Sequence, residues 1–386
     1  MIYVDLRESV PSKYGKFHGG GNYSKRSVQL LKNTYDSLTI FIPTDFEPSS
    51  KKDKELLLDK KVTLIRVNSE NEILLAEKNA ILFIPLLPTK KFGIIDTIKK
   101  NNPNAKIFLT IHGTRYADSK YDPYDRYYYH GIKYTFYFLI TYLSRFVGKI
   151  VYKKTFKTQI PKYDKIFTVS NDSLQKIVAM SQPKYIKPFY QGSNNFNEDP
   201  VQKTQKENFI LFVNANRPEK NFLRTLEAFL QFKKQDTSNI KLYVTGIDDR
   251  TQDALLRYKK LDTKSLKQWV TFSDYLSDND YNALFEKCKF LLYTSKTEGF
   301  GLPLLEACSK ECSILSSWIT ATPEVLGSAV NYVNPYDVNS IADGINKMVN
   351  HSNLNQVAEN IKQRKELCKK FIAQNDKEFV QEFKLI

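Results

Sequence analysis

Cysteine, histidine, methionine and tryptophan are scarce in this chain of 386 residues, which contains four, four, three and two of them, respectively. The four cysteines form no CxxC pair and lack a matching set of histidines, so the sequence predicts neither a zinc site nor a disulfide framework. We interpret Cys308 and Cys312 as ordinary thiols of a helix or a core.

Long uncharged hydrophobic runs are also missing. The N-terminal residues MIYVDLRESVP pass from a short strand-like run into charged residues, without the apolar core that a signal peptide needs. The uncharged stretch 134–144 has eleven residues, whereas a helix that spans a bilayer needs about 20. We therefore expect a cytoplasmic protein, and its length suffices for two domains with separate cores.

Acidic residues are few in the first half of the chain. Residues 1–200 contain 32 Lys or Arg and 19 Asp or Glu, whereas residues 201–386 contain 26 and 23. The first half is therefore expected to face an anionic partner, and both nucleic acid and an acidic membrane surface fit this charge. Because no helix-turn-helix, zinc-finger or RNP-like pattern accompanies the charge, we expect no nucleic acid partner.

Aromatic residues concentrate between Tyr121 and Tyr152, in the runs YDPYDRYYYH and YTFYFLITYLS. The basic residues that flank these runs are Lys133, Arg145, Lys149, Lys153 and Lys154. Tyr and Phe beside Lys are typical of an interfacial helix that lies on anionic lipid. A buried domain helix with basic ends explains the same pattern, so the sequence leaves both interpretations open.

Short apolar runs alternate with helical stretches along the whole chain. The predicted strands are Leu38–Ile42, Val62–Val67, Ile81–Pro85, Ile107–Ile111 and Lys165–Val169 in the first half, and Phe209–Val213, Lys241–Thr245, Val270–Phe272, Phe290–Tyr293 and Ser313–Ser316 in the second. This alternation predicts an α/β protein with two doubly wound parallel sheets. The polar segment Gln191–Asn208 is the expected boundary. We therefore expect domains over 1–195 and 196–360, and a C-terminal helix over 361–386 that packs back on the first domain.

The sequence EGFGLPLLE (298–306) is the best candidate for a ligand site. It lies between a predicted strand and helix-forming residues, so its glycines are expected on a strand-to-helix turn. Gly299 and Gly301 allow left-handed backbone angles and a close approach of a ligand. Amides at a helix N-terminus attract anions, and Glu298 and Glu306 suit sugar or ribose hydroxyls. Because glycine-rich turns before helices are common, this segment alone leaves a purely structural role equally open.

Several segments of the chain agree, in order, with one family of enzymes. They are HGGGNY (18–23), TIHGTRY (110–116), FTVSNDS (167–173), VNANRPEKN (213–221), EGFGLPLLEA (298–307) and TPEVLGSAVNYVNPYDVNSIADGI (322–345). With these segments the chain resembles the retaining nucleotide-sugar glycosyltransferases of the GT-B fold, the group 1 type marked by paired glutamates. The resemblance implies two Rossmann-like domains facing across a cleft, the first for the acceptor and the second for the nucleotide sugar.

The resemblance also implies a role for each candidate residue. Lys220 and Arg217 would bind the donor diphosphate and stabilise the negative charge that develops on it. Glu298 would contact the donor sugar and Glu306 the ribose hydroxyls. The remaining implied residues are Gly299, Phe300, Gly301 and Leu302 around the donor sugar, Gly20 and Gly21 in a first-domain loop that closes over the phosphates, and His112 near the transferred sugar and the acceptor. The implied catalytic set is His112, Lys220 and Glu298.

The activity that the resemblance implies is retaining transfer of a hexose from a nucleoside diphosphate sugar to a hydroxyl of a glycan or lipid-linked acceptor. It implies a role in bacterial cell-envelope polysaccharide synthesis, peripheral on the inner face of the cytoplasmic membrane. Two alternatives are a sugar-nucleotide epimerase of the same architecture and a non-catalytic basic nucleic-acid-binding protein. No cofactor and no metal are expected. Asp278–Asp280 resembles the metal-binding carboxylates of another glycosyltransferase fold, but it follows Ser277 at a predicted helix start, so capping is the preferred interpretation.

Overall fold

The computed structural model contains two compact units. It describes residues 1–10, 19–48, 50–77, 79–114, 120–190, 192, 205–258, 263–274, 276–350 and 353–384. The first unit consists of Met1–Ala117, Gly148–Gly192 and Phe371–Ile386, and the second of Asp118–Val147 and Ser193–Lys370.

A parallel sheet forms the centre of the first unit. Its seven strands within the described residues are β1 (Ile2–Asp5), β2 (Leu38–Pro43), β3 (Val62–Val67), β4 (Ile81–Ile84), β5 (Lys106–Ile111), β6 (Lys165–Thr168) and β7 (Ile186–Pro188). The strand order is β3-β2-β1-β4-β5-β6-β7. In the inner strand β1, Ile2 lies opposite Leu38 on one side and Ile81 on the other. The central strands are continuous apolar runs because helices cover a parallel sheet on both faces.

The second unit has its own parallel sheet. The six strands that the structure describes there are β8 (Phe209–Phe212), β9 (Lys241–Thr245), β10 (Val270–Ser273), β11 (Phe290–Tyr293), β12 (Ser313–Ser317) and β13 (Asn331–Val333), in the order β10-β9-β8-β11-β12-β13. The chain reverses its direction of strand addition at β8 and β11, and the carboxyl end of β11 leads into the glycine-rich segment. Ligands of open parallel sheets bind at such a point.

Helices fill the connections between the strands. They are α1 (Gly19–Thr34), α2 (Lys51–Leu57), α3 (Ile94–Asn101), α4 (Gly131–Thr135), α5 (Tyr137–Gln159), α6 (Asn171–Met180), α7 (Phe222–Lys233), α8 (Asp249–Arg257), α9 (Thr263–Trp269), α10 (Asp278–Lys287), α11 (Leu302–Ser309), α12 (Thr322–Leu326), α13 (Val338–Asn350) and α14 (Asn353–Glu382). Two 3₁₀ turns, Pro123–Tyr128 and Pro218–Lys220, bear on the site. Across the part of the chain that is described, no helix has the length and apolarity to cross a membrane.

The predicted architecture of two doubly wound parallel sheets is confirmed. All ten predicted strands are present, and Val62–Val67, Lys241–Thr245 and Phe290–Tyr293 have the predicted bounds. The short strands β7 and β13, of three residues each, were not predicted, and β1 was indicated only as a strand-like run at the start of the chain. Pro188 ends β7, and an edge strand tolerates a proline because its amide need not pair.

The two units divide the chain differently from a single boundary near residue 195. Residues 118–147 cluster with the second unit, because Asp122 is held there by an ion pair with Arg224. The C-terminal helix α14 is divided as well: its end from Phe371 joins the first unit, and the preceding residues join the second. In the first unit, Phe379 packs edge-on against Phe83, with centroids 5.7 Å apart. The predicted boundary segment Gln191–Asn208 lies mostly outside the described residues.

Candidate active site

The glycine-rich segment forms the predicted strand-to-helix turn between β11 and α11. Gly301 directly precedes the helix and has a φ of 98°, in the left-handed region that side chains with a Cβ rarely adopt. A Cβ at this position would lie 3.0 Å from Leu304 Cδ1. Nearby, Phe300 is buried, whereas Gly299 and Leu302 are partly exposed. The turn therefore needs glycine at 301, and it leads into a helix N-terminus whose first amides lack intrahelical acceptors.

Lys220 and Glu298 form a buried ion pair in the second unit. Lys220 Nζ donates hydrogen bonds to Glu298 Oε1 at 2.6 Å and to Tyr293 Oη at 2.8 Å. The Tyr293 hydroxyl donates to the same glutamate oxygen at 2.7 Å. The side chains of Lys220 and Glu298 are 5% and 12% exposed, respectively. The structure thus brings together two of the three residues of the implied catalytic set and adds a tyrosine that links them.

The electrostatics of this cluster keep a negative charge on Glu298. Burial raises the pKa of this carboxyl, but the charge and hydrogen bond of Lys220 outweigh burial, so the pKa lies below its ordinary value. Burial lowers the pKa of Lys220, and the charge of Glu298 offsets this effect only in part. Burial and then the charge of Glu298 raise the pKa of Tyr293 well above its ordinary value. Tyr293 therefore keeps its proton and remains a hydrogen-bond donor to the carboxylate.

Hydrogen bonds connect the two loops that carry the ion pair. The Lys296 amide, two residues before Glu298, donates to the Glu219 carbonyl at 2.8 Å. Asn221 follows Lys220 with a φ of 69°, and its side-chain amide donates to the Thr294 carbonyl at 3.2 Å. The relative position of the lysine and the glutamate is therefore fixed by the backbone as well as by their own contact.

Arg217 and Glu306 lie in the same unit and have partners of their own. Arg217 Nε donates to Glu219 Oε1 at 2.9 Å, and its side chain is 43% exposed. Glu306 lies within α11 and shares a hydrogen bond with the hydroxyl of Tyr281 in α10. Burial, and then the charge of Glu306, raise the pKa of this tyrosine well above its ordinary value. Both predicted donor-binding residues thus belong to the unit that carries Lys220.

The other predicted site residues, His112, Gly20 and Gly21, belong to the first unit. His112 follows β5, and its Nε2 donates to the Pro85 carbonyl at 2.7 Å. Its ring packs edge-on against Tyr23, with centroids 4.8 Å apart. Gly20 and Gly21 form the first turn of α1 and not the predicted loop.

A buried ionic cluster that sequence reasoning missed lies next to the ion pair. Arg224 donates to the two oxygens of Asp122 at 2.8 Å and 2.7 Å. Lys296 Nζ donates to Asp122 Oδ2 at 2.7 Å and also pairs with Asp125. The Asp122 side chain is fully buried. No local pattern signals this cluster, because Asp122 and Arg224 are 102 positions apart.

Tyr293 was also missed as a site residue. It is the last residue of the apolar strand β11 and was interpreted only as part of that strand. The available signal was its position five residues before Glu298, at the strand end that faces the ligand side of a parallel sheet.

Asp278–Asp280 starts helix α10, as predicted. Ser277 is the N-cap of this helix, and its Oγ accepts a hydrogen bond from the Asp280 amide at 3.2 Å. The capping interpretation of these residues is confirmed.

Comparison with known proteins identifies the class to which this fold belongs. The Anabaena HepE structure in complex with UDP and glucose superposes with a TM-score of 0.66, at 12% identity, over 100% of this chain and 99% of that chain. A glycosyltransferase from Rickettsia africae superposes with a TM-score of 0.64, at 16% identity, over 98% of each chain. The chain has the GT-B glycosyltransferase fold.

A family model matches the larger part of the second unit. Residues 193–366 match the model of the family "Glycosyl transferases group 1". A curated relative, the O-antigen chain mannosyltransferase RfbU of Salmonella typhimurium, is 29% identical over 202 residues. The match covers 52% of this chain and 55% of the relative, so the chain spans about half the length of that protein.

Proposed function

We propose that this protein is a retaining glycosyltransferase that transfers a hexose from a nucleoside diphosphate sugar to a hydroxyl of a glycan or lipid-linked acceptor. The observation that carries the proposal is the buried Lys220–Glu298 ion pair beside the N-terminus of α11, within the segment that matches the group 1 family. The name of the Salmonella relative points to mannose as the hexose and to a cell-envelope polysaccharide as the product. The UDP in the HepE structure supports a nucleoside diphosphate as the leaving group.

In the proposed reaction, the second unit binds the donor. The diphosphate gains negative charge as its bond to the sugar breaks, and a cation held in a buried site stabilises that charge without reorganisation. Lys220 supplies this cation, and the more exposed Arg217 supplies a second one. Glu298 accepts hydrogen bonds from sugar hydroxyls, and Glu306 accepts them from the ribose. The amides around Gly301, at the start of α11, contact the donor sugar.

For the first unit, we carry over the roles that the resemblance implies. His112 would contact the transferred sugar or the acceptor. Gly20 and Gly21 would contact phosphate oxygens from the first turn of α1, where backbone amides point along the helix axis.

Retention requires the new bond to form on the face from which the diphosphate leaves. The bond between the anomeric carbon and the diphosphate oxygen breaks, and a bond to the acceptor oxygen forms. The acceptor proton moves to the departing diphosphate oxygen, so no protein base is needed. Glu298 is not the nucleophile in this scheme. We propose that Lys220 and Arg217 replace a metal ion as the positive charge.

The two rival functions explain the chain less well. An epimerase would consume the donor without any acceptor, so it gives no reason for the basic, aromatic segment in the first half of the sequence. A non-catalytic nucleic-acid-binding protein would leave the buried lysine and glutamate without a ligand, and the comparisons do not favour it. Steep salt dependence of DNA binding without nucleotide-sugar binding would support that second rival.

The first experiment identifies the donor. Thermal unfolding of the full chain is measured with UDP, GDP, TDP and CDP, each with EDTA or with magnesium. A ligand at about 100 times its dissociation constant adds roughly 2.7 kcal/mol to stability. We expect a shift with one nucleoside diphosphate and no need for metal. A shift that occurs only with metal would refute the proposed role of the two cations.

The second experiment tests the residues. With the selected nucleotide hexose and a lipid-linked acceptor, Lys220→Ala and Glu306→Ala should each reduce turnover by about 10²-fold or more. The matched control is Lys234→Ala, which changes an exposed lysine at the end of α7. Near-normal rates in Lys220→Ala would reject the assignment. The anomeric configuration of the product, determined by NMR, tests retention.

A further inference from the structure

A broad apolar strip is exposed on the helices α4 and α5. It consists of side chains that are 52% to 74% exposed: Ile132, Phe136, Phe138, Leu139, Tyr142, Leu143, Phe146, Val147, Ile150 and Val151. Soluble proteins seldom leave so many large apolar side chains exposed in one place, and those that do use them to bind something.

The strip covers the middle of α5, between buried side chains near its ends. Tyr137, Tyr152 and Phe156 of this helix are buried, whereas no side chain between Phe138 and Val151 is buried. The exposed apolar pairs recur every four positions over this stretch, so they form a broad band along the helix. Packing within the fold therefore explains the ends of this helix and leaves its apolar middle without an explanation.

The charged residues of the chain segment that carries the strip are all basic. From Arg126 to Tyr163 the sequence contains eight Lys or Arg residues and no Asp or Glu. Lys149, Lys153 and Lys154 are exposed and continue the strip toward the C-terminal end of α5. The surface thus combines apolar side chains with lysines that can reach anionic groups at its edge.

We propose that the strip and its lysines bind the surface of an anionic lipid bilayer. The 23 residues of α5 extend about 34 Å, and the helix would lie flat, with its aromatic and aliphatic side chains at the boundary of head groups and acyl chains. The lysines would contact lipid phosphates. A protein partner or a second copy fits less well, since lysine is depleted in the cores of protein interfaces.

This inference stands independently of the proposed enzymatic activity, because vesicles without donor or acceptor suffice to test it. The full chain is floated with vesicles of neutral phosphatidylcholine and with vesicles that also contain anionic phosphatidylglycerol. We expect binding to the anionic vesicles. No binding of the unchanged protein to them would overturn the proposal.

Two sets of variants separate the contributions of apolar side chains and charge. Leu139→Ser/Leu143→Ser should weaken binding about tenfold or more, whereas the control Leu58→Ser/Leu74→Ser, on side chains that are 61% and 65% exposed, should not. Lys149→Gln/Lys153→Gln/Lys154→Gln should also weaken binding about tenfold or more. Its control is Lys52→Gln/Lys369→Gln/Lys370→Gln, three exposed lysines outside the strip. Equal losses in a test set and its control would refute the role of this face.

A spectroscopic readout locates the contact. Phe146→Trp places an indole in the middle of the strip, and its emission should shift to shorter wavelength with anionic vesicles. An unchanged emission, although the protein floats with the vesicles, would show that another surface binds. Light scattering without lipid completes the test: a dimer that Leu139→Ser/Leu143→Ser dissociates would show that a second copy covers the strip, against the proposal.

Discussion

Replacing Asp122 by asparagine should destabilise the second unit at neutral pH, whereas the same replacement of Asp125 should not. Both carboxylates contact Lys296, but only Asp122 also receives two hydrogen bonds from Arg224. Asp122→Asn leaves two buried cations without their shared anion. Removing one partner of a buried ion pair typically costs about 3–5 kcal/mol, so we expect a loss in that range.

The pH dependence distinguishes the two aspartates. Burial by itself raises the pKa of Asp122, but the hydrogen bond from Arg224 and the charges of Lys296 and Arg224 lower it to about 2. Its contribution to stability is therefore present above the ordinary pKa of 3.8 and is lost as the pH falls toward 2. Burial, opposed by Lys296 but assisted by the charge of Asp122, raises the pKa of Asp125 to about 6.

The contribution of Asp125 to stability changes with pH in the opposite direction. Because its folded pKa lies above the ordinary 3.8, its contribution is present below pH 3.8 and is lost as the pH rises through about 6. The difference of about two pH units corresponds to about 3 kcal/mol. Asp125→Asn keeps a neutral side chain at every pH. It should therefore remove a fall in stability between about pH 4 and pH 6 and should match or exceed the stability of the unchanged protein at pH 7.

Tryptophan fluorescence during urea unfolding measures this effect in the relevant unit. The chain has two tryptophans, and both Trp269 and Trp318 lie in the second unit. The free energy of unfolding is compared at pH 4.5 and pH 7 for the unchanged protein, Asp122→Asn and Asp125→Asn. Equal losses in the two variants at pH 7, or the same pH dependence in Asp125→Asn as in the unchanged protein, would refute the reasoning.

Three further changes test the site. Tyr293→Phe removes the hydroxyl that donates to Glu298 and accepts from Lys220, so kcat should fall about tenfold while the fold is kept. An unchanged kcat would show that the tyrosine does not position the Lys220–Glu298 pair. Gly301→Ala forces a Cβ into the left-handed region, which should cost about 1–2 kcal/mol and weaken nucleotide-sugar binding in calorimetry; binding as tight as before would argue against the tight turn. Ser277→Ala removes the N-cap of α10 and should lower the free energy of unfolding in urea by about 1 kcal/mol. An unchanged free energy of unfolding would show that the cap does not stabilise the helix.

Local apolar patterns predicted most of the fold. Strands such as Ile81–Ile84 and Phe290–Tyr293 are continuous apolar runs, because both faces of a parallel sheet are covered. The strands β7 and β13 have three residues each and give no such signal. The placement of residues 118–147 in the second unit could not be predicted from the sequence for a different reason. It depends on ion pairs between residues about a hundred positions apart.

The candidate site was predictable in its chemistry but not in its contacts. The spacing of glycines before an apolar helix indicated a ligand turn, and Gly301 has the predicted backbone conformation. The pairing of Lys220 with Glu298 was not predictable, because each residue alone had been assigned to a different part of the donor. Side chains 78 positions apart in the chain meet only through the order of strands β8 and β11.

This pairing changes how variants at Glu298 must be interpreted. Lys220 is a buried ammonium that donates hydrogen bonds to Glu298 and Tyr293. A substitution of Glu298 therefore removes a proposed sugar contact and also leaves the lysine without its anion, so a loss of activity alone does not assign the glutamate to the sugar. Tyr293→Phe disturbs the position of the pair without removing either charge. If the glutamate acts only by holding Lys220, both variants weaken nucleoside diphosphate binding; a direct sugar contact predicts that Glu298→Gln weakens binding of the nucleotide sugar more than that of the free diphosphate.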